Sequence, residues 1–141
     1  MHYAQTYRRS VALTALLLLL PVVLNATIRI NEILASNATI NTDPDYGNEA
    51  DWVELHNDGT LAVNLNGYYV TDNLKEPTKW LIATDLILQP GGYALIWCDD
   101  NATGLHTTFK LSASGEAFGL YSPDLVPLDT LLFGPQFTDV S

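Results

Sequence analysis

The chain has 141 residues, and its 16 acidic side chains outnumber its six Lys and Arg residues, which gives a formal net charge of −10 at pH 7. This length suits one domain, and the charge argues against a nucleic-acid partner, because phosphate backbones are bound by Lys and Arg. The only cysteine is Cys98, so no internal disulfide can form and burial of apolar side chains must stabilise the domain. Cys98 lies in an apolar run, and we therefore predict a small buried thiol rather than a reactive one.

Residues 1–26 have the pattern of a secretory signal peptide. Two arginines precede residues 11–24, which carry no charge, and Ala26 is a small residue at a suitable place for cleavage. The apolar run has 14 residues, fewer than the roughly 20 that span a bilayer. We therefore expect a secreted or cell-surface protein with no stable membrane span after cleavage; a retained anchor is the alternative. Residues 27–141 then hold four basic and 16 acidic side chains, a net charge of −12.

After the signal peptide, short apolar runs alternate with Gly, Pro, Asn and Asp, a pattern typical of an all-β sandwich or barrel. No segment has helical spacing, so we expect no helix longer than two turns. In chain order the predicted strands are TIRINEILAS, DWVELHN, VNLNGYYVTD, TKWLIA, GGYALIWCDD, TFKLS, EAFGLYS and PLDTLLFG. Period-two alternation places Val53 and Leu55 on one face of the second strand. Turns are predicted at residues 57–60, 89–92 and 112–116, where turn-forming residues cluster.

The longest predicted loop, residues 37–51, contains the best candidate for a metal site. It carries Asp43, Asp45, Glu49 and Asp51. Ca²⁺ takes six to eight oxygen ligands, which a flexible loop can supply from carboxylates and backbone carbonyls. The spacing does not match an EF-hand loop, so a solvated acidic loop is the alternative. We expect no other cofactor.

A stretch near the C-terminus contains residue types that occur in hydrolases. A Ser–His–acid triad could be drawn from His106 with Ser112 or Ser114, but no GxSxG elbow accompanies them. We favour a structural interpretation, in which His106 orders a turn and the serines bind backbone groups. A zinc site is not expected either, because His56 and His106 lie 50 positions apart without a close-spaced partner ligand. The prediction is therefore a protein that is not an enzyme.

Aromatic side chains are frequent along the predicted strands and could form either core or a carbohydrate-binding platform. We favour the core, because aromatic residues in strands usually bury large areas between sheets. The set comprises Trp52, Tyr68, Tyr69, Trp80, Tyr93 and Trp97.

An ordered series of segments resembles the lamin-tail domain as found in secreted bacterial proteins. The segments are INEILASN, DWVELHNDG, VNLNGYYVTDN, PTKWLI, PGGYALIWCDD, GLHTTFKLSASGEAFGLY, LDTLLFG and TDVS. They run from about Ile28 to the end of the chain. The resemblance implies an immunoglobulin-like β-sandwich that acts as a non-catalytic accessory module.

Two features depart from the family pattern. Cys98 stands where such domains commonly have another small residue, and Ser141 falls within a segment that normally continues. We therefore expect the domain at residues 27–141 to continue beyond this chain. The predicted function is an adhesion or scaffolding module at the cell surface or outside the cell, with a protein or another cell-surface component as partner. The alternative is an accessory domain of a secreted hydrolase or nuclease whose catalytic domain is missing from this chain.

Overall fold

The computed structural model describes residues 27–141, and these form nine β-strands and no helix. In chain order the strands are β1 (Ile28–Leu34), β2 (Trp52–Asn57), β3 (Val63–Asn64), β4 (Tyr69–Thr71), β5 (Trp80–Leu81), β6 (Ile87–Leu88), β7 (Tyr93–Trp97), β8 (Glu116–Tyr121) and β9 (Pro127–Phe133). The predicted signal peptide lies outside the described residues. Within them, no helix has the length and hydropathy to cross a membrane.

The first sheet has the order β1-β2-β7, and both strand pairs are antiparallel. β2 is the central strand. Val53 and Leu55 lie on one of its faces, as the alternation predicted, and both are completely buried. On the opposite face, Trp52 packs with Trp97 of β7 in a second, smaller apolar cluster. Both faces of β2 are therefore covered at the end where the strand begins.

The second sheet has the order β5-β4-β8-β9, and the short strands β3 and β6 form a separate pair. Val70 of β4 and Phe118 and Leu120 of β8 are completely buried, and they share one core cluster with Val53 and Leu55 of the first sheet. The two sheets thus face each other across a single apolar layer, which is how antiparallel sheets bury their inner faces. The fold is an all-β, immunoglobulin-like sandwich, and the fold prediction is confirmed.

The edges of the two sheets meet where β1 lies beside β9. The Ile30 amide donates to Asp129 Oδ2 at 2.9 Å, and the Thr130 amide donates to Asp129 Oδ1 at 2.9 Å. A carboxylate side chain therefore occupies part of the edge, where an unpaired strand would otherwise present free amides.

Three strand predictions differ from the structure. VNLNGYYVTD forms β3 and β4 rather than one strand, because a turn intervenes in which the Tyr68 amide donates to the Leu65 carbonyl at 3.0 Å. In TFKLS, Phe109 and Leu111 are buried as in a strand. Lys110 nevertheless forms only an isolated bridge, because no neighbouring strand continues the pairing. Strand β6 has no counterpart among the predicted strands.

The prediction of a buried cysteine is confirmed, and the prediction that the aromatic residues belong to the core is confirmed for the three tryptophans but wrong for Tyr93. Cys98 is buried and unpaired, and burial raises the pKa of its thiol well above the ordinary value. Trp52, Trp80 and Trp97 are each no more than 7% exposed and belong to the core, whereas Tyr93 is 55% exposed. The thiol is therefore a core group, and the three indoles pack the interior instead of forming a surface platform.

Candidate functional site

Two loops meet at one end of the first sheet. We call them the acidic loop (residues 37–51), which leads into β2, and the histidine loop (residues 98–107), which follows β7. Because β2 and β7 are antiparallel neighbours, the start of one strand lies beside the end of the other. The Cys98 amide donates to the Asp51 carbonyl at 2.7 Å, so the contact continues from the strands into the loops.

His106 lies in the histidine loop and its side chain is 1% exposed. The peptides on either side of it are bonded to Trp97: the Trp97 amide donates to the Leu105 carbonyl at 2.9 Å, and the Thr107 amide donates to the Trp97 carbonyl at 2.8 Å. The imidazole stacks on the Trp97 ring at 6.5 Å between centroids and meets the Tyr46 ring edge-on at 4.9 Å. The backbone and the two aromatic rings together fix the direction of the imidazole.

Three carboxylates surround the imidazole of His106. Nδ1 lies 3.0 Å from Asp99 Oδ2 and 3.8 Å from Asp43 Oδ2, and Nε2 lies 3.1 Å from Asp45 Oδ2. Asp99 Oδ2 also accepts from Asn101 Nδ2 at 2.5 Å. Two loops therefore place three carboxylates around one imidazole ring, and two of these carboxylates lie on the Nδ1 side.

Asp43 is held rigidly and is 0% exposed. Its amide donates to the Asn48 carbonyl and its carbonyl accepts from the Gly47 amide, both at 2.8 Å. Gly47 has φ +69°, a backbone conformation that favours glycine, and it closes this reversal. Oδ1 accepts from the Asp45 amide at 2.9 Å, whereas Oδ2 is buried without any hydrogen-bond partner.

The electrostatics of the cluster favour a positive charge on or near the imidazole. Burial alone would lower the pKa of His106, because it disfavours the charged form. Hydrogen bonds to Asp45 and Asp99 and the negative charges of Asp99 and Asp43 act in the opposite direction, and the net pKa is raised. The site can therefore hold a proton on His106 or a cation between the side chains.

The same geometry fits a metal ion. One ligand atom from each of Asp43, Asp99 and His106 lies within 4.8 Å of the others. Carboxylate oxygens and imidazole nitrogens are common ligands of divalent metal ions. Among the described residues this is the group that brings three such ligands together.

The model of one protein family matches most of the chain. It is the Lamin Tail Domain model, and it covers residues 24–131. The chain belongs to the lamin tail domain family. Lamin tail domains are non-catalytic, immunoglobulin-like modules, in agreement with the observed sandwich. The matched range includes the acidic loop, the histidine loop and every strand up to the middle of β9. No curated protein matches the chain.

The residues predicted to bind calcium divide between two places in this lamin tail domain. Asp43 belongs to the metal-competent group, and Asp45 is bonded to His106. Glu49 and Asp51 instead line a neighbouring depression. The Asp51 carboxylate accepts from the Asn37 amide at 3.0 Å, and burial raises its pKa. Calcium binding by this loop stays a prediction.

The serines near His106 in sequence are not bonded to it. Both ring nitrogens are hydrogen-bonded to carboxylates. Ser112 Oγ accepts from the Ser114 amide at 3.3 Å, and the Ser112 carbonyl accepts from the Gly115 amide at 3.0 Å. The Ser112 hydroxyl therefore binds a backbone group in the turn at residues 112–116, as predicted, whereas Ser114 takes part through its backbone amide.

The prediction for His106 is only half right. Its amide does order a turn, by donating to the Thr103 carbonyl at 3.0 Å, but its side chain joins the acidic cluster. Asp99 and His106 are missing from the predicted metal residues because they lie far from Asp43 in sequence. The sequence did contain a signal that could have located these two residues, namely that the predicted strands corresponding to β2 and β7 are flanked by these loops. Antiparallel pairing of the two would have placed the loops together.

Proposed function

We propose that this lamin tail domain is a secreted or surface-displayed module for adhesion or scaffolding, which binds a protein or another cell-surface component and catalyses no reaction. The observation that carries the proposal is the apolar surface of β9 and the turn before it. Val126, Leu128 and Leu132 are 55%, 42% and 76% exposed. Exposed large apolar side chains grouped in one region are typical of a surface that another protein covers.

The position of β9 supports a role in binding. It is the last strand of its sheet, and an edge strand presents backbone groups and side chains to a partner together. Asp129 bonds to β1 on this edge, which leaves the end of the strand around Leu132 as the more accessible part. Leu132 pairs in register with Ala117 of β8, so the apolar surface continues onto the neighbouring strand.

The absence of catalysis is supported by the hydrogen bonding of His106. A general base needs a nitrogen that can reach a nucleophile. Here Nδ1 faces Asp99 and Nε2 faces Asp45, so the imidazole is occupied on both sides by carboxylates. The family of non-catalytic modules to which the chain belongs supports the same interpretation.

Export can be tested by expressing the full chain in a bacterial host and fractionating the culture. We expect the protein in the medium or on the cell surface, with its N-terminus near residue 27 by mass spectrometry. Replacement of Leu17 and Leu18 by Arg should keep it in the cytoplasm, because charges interrupt the apolar run. Cytoplasmic, uncleaved wild-type protein would contradict the proposed location.

Binding can be tested by adding labelled protein to cells of the producing organism and measuring the bound fraction by flow cytometry. We expect Leu132→Lys to reduce binding several-fold. The matched control is Ile87→Lys, because Ile87 is also an exposed apolar side chain, at 59%, but lies on β6. Equal loss in both variants, or no binding by the wild type, would refute the proposed role of β9.

A further inference from the structure

We propose that Asp43, Asp99 and His106 bind a divalent transition-metal ion such as Zn²⁺ or Mn²⁺, and that Asp45 orients the imidazole without contacting the ion. The ion would lie on the Nδ1 side of His106, between the acidic loop and the histidine loop. This site is independent of the surface of β9 and of the proposed adhesive function.

The distances between the ligand atoms suit one small ion. Zn²⁺ binds imidazole nitrogen and carboxylate oxygen at about 2.1 Å, which puts neighbouring ligand atoms of a tetrahedral site about 3.4 Å apart. His106 Nδ1 lies 3.0 Å from Asp99 Oδ2 and 3.8 Å from Asp43 Oδ2. These two separations lie on either side of the expected value, and all three ligand atoms lie within 4.8 Å of one another.

The buried oxygen of Asp43 is the observation that a metal ion explains best. Oδ2 is inaccessible to solvent and accepts no hydrogen bond, although a buried carboxylate oxygen without a partner is costly. A proton on His106 leaves this oxygen unpaired, because Nδ1 is 3.8 Å away and already faces Asp99 at 3.0 Å. An ion on the Nδ1 side would bind Oδ2 directly.

The groups around these ligands have the arrangement of a second coordination shell. Histidine ligands usually donate the other ring N–H to a carboxylate, which fixes the tautomer. Nε2 of His106 faces Asp45 Oδ2 at 3.1 Å, so with the ion bound at Nδ1 the proton on Nε2 would be donated to Asp45. Asp43 Oδ1 is bonded to the Asp45 amide, and Asn101 donates to Asp99. Each ligand is therefore oriented by a second group.

The imidazole determines the class of ion. Ca²⁺ and Mg²⁺ prefer oxygen ligands alone, whereas Zn²⁺ and Mn²⁺ accept nitrogen together with carboxylate oxygen. A site of one nitrogen and two carboxylates suits the second group. Because Asp43 belongs to one loop and Asp99 and His106 to the other, the bound ion would fasten the two loops together.

The test is a metal titration of the chelator-treated full chain, purified without a polyhistidine tag. Isothermal titration calorimetry and thermal unfolding are recorded with Zn²⁺, Mn²⁺, Ca²⁺ and Mg²⁺. We expect one site for Zn²⁺ or Mn²⁺ and a rise in Tm of about 5 °C or more when the ion is at 100-fold excess over Kd. Asp45→Asn should weaken binding about 10–100-fold without abolishing it, as expected for a residue that only orients a ligand.

Two ligand variants and one control decide the outcome. Asp43→Asn and His106→Gln should each lose the site and the Tm rise. His56→Gln should retain both, because His56 stacks on Tyr93 away from the cluster. If His106→Gln does not fold, Asp43→Asn, which keeps the size and the Oδ1 contact, carries the test. No Zn²⁺ or Mn²⁺ binding in the wild type, binding unchanged in Asp43→Asn, or a site that prefers Ca²⁺ would each overturn the proposal.

Discussion

Asn57 at the end of β2 is the polar side chain whose removal should most clearly destabilise the sandwich. It is 0% exposed. Nδ2 donates to the Leu61 carbonyl at 2.8 Å and to the Leu88 carbonyl at 3.0 Å, and Oδ1 accepts from the Gly59 amide at 3.0 Å. One side chain thus connects β2, the turn that follows it and β6. Asn57→Ala removes all three bonds at once.

The expected loss follows from the number and burial of these bonds. A hydrogen bond contributes about 1 kcal/mol net, and a buried group left without a partner costs about 1–3 kcal/mol. Three bonds, of which the one to Leu88 is fully buried, give a loss of about 3 kcal/mol. For a domain of this size that corresponds to a fall in Tm of about 10–15 °C.

Asn64 offers a matched control for Asn57→Ala. Its side chain also makes three hydrogen bonds, with Asp85, Asn66 and Leu86, but these are all exposed. Water can replace them, so Asn64→Ala should cost no more than about 1 kcal/mol. Urea unfolding followed by tryptophan fluorescence measures both, because the three indoles are buried. Equal losses in the two variants would show that burial of the bonds at Asn57 does not determine their contribution.

Three further predictions concern separate parts of the molecule. Gly115→Ala should lower the free energy of unfolding in urea by roughly 2 kcal/mol, because Gly115 has φ +98° and an added Cβ would lie 2.6 Å from the Phe133 carbonyl oxygen. Gly134→Ala is the control and should change it little, because an added Cβ there would have nothing within 4 Å. Hydrogen bonds from the Ala38 amide and from Thr39 lower the pKa of Asp139. The stabilising effect of the ionised Asp139 carboxylate should therefore be complete at pH values above the ordinary aspartate pKa. It should be lost as the pH falls through the lowered pKa. In an NMR titration, the amide chemical shift of Thr39 should change with a midpoint at the lowered pKa of Asp139. A midpoint at or above the ordinary aspartate pKa would contradict this prediction. We expect no DNA or RNA binding at physiological salt, because aspartates already pair with Arg29 and Lys79. Fluorescence polarisation with a chelator present measures this, and salt-sensitive micromolar binding would contradict the prediction.

The parts of the fold that follow from local chemistry could be predicted from the sequence. Alternation correctly placed Val53 and Leu55 on the same face of β2, because a strand directs successive side chains to opposite faces, and the structure shows that this face is buried. The same rule predicted a strand at residues 108–112, where Phe109 and Leu111 are indeed buried. Burial alternates there without a ladder, so alternation reports which side chains face the core and not whether a neighbouring strand is available.

Contacts between distant residues account for what the sequence did not predict. Strand β6 has two residues and exists because Val63 and Asn64 of β3 lie opposite Leu88 and Ile87. Nothing in a two-residue segment distinguishes it from a loop. The same holds for Asp129, whose carboxylate bonds to Ile30, 99 positions earlier in the chain, so its role at the sheet edge depends on the complete fold.

The acidic cluster shows which single contact would have sufficed to predict it. Asp43 and Asp99 are 56 positions apart, too far for any spacing rule to connect. Once β2 and β7 are known to be antiparallel neighbours, the loop that precedes β2 and the loop that follows β7 must leave the sheet at the same end. Those two loops contain Asp43, Asp45, Asp99 and His106. The strands could be recognised individually, but their order in the sheet depends on how the whole sandwich packs, which no local pattern encodes.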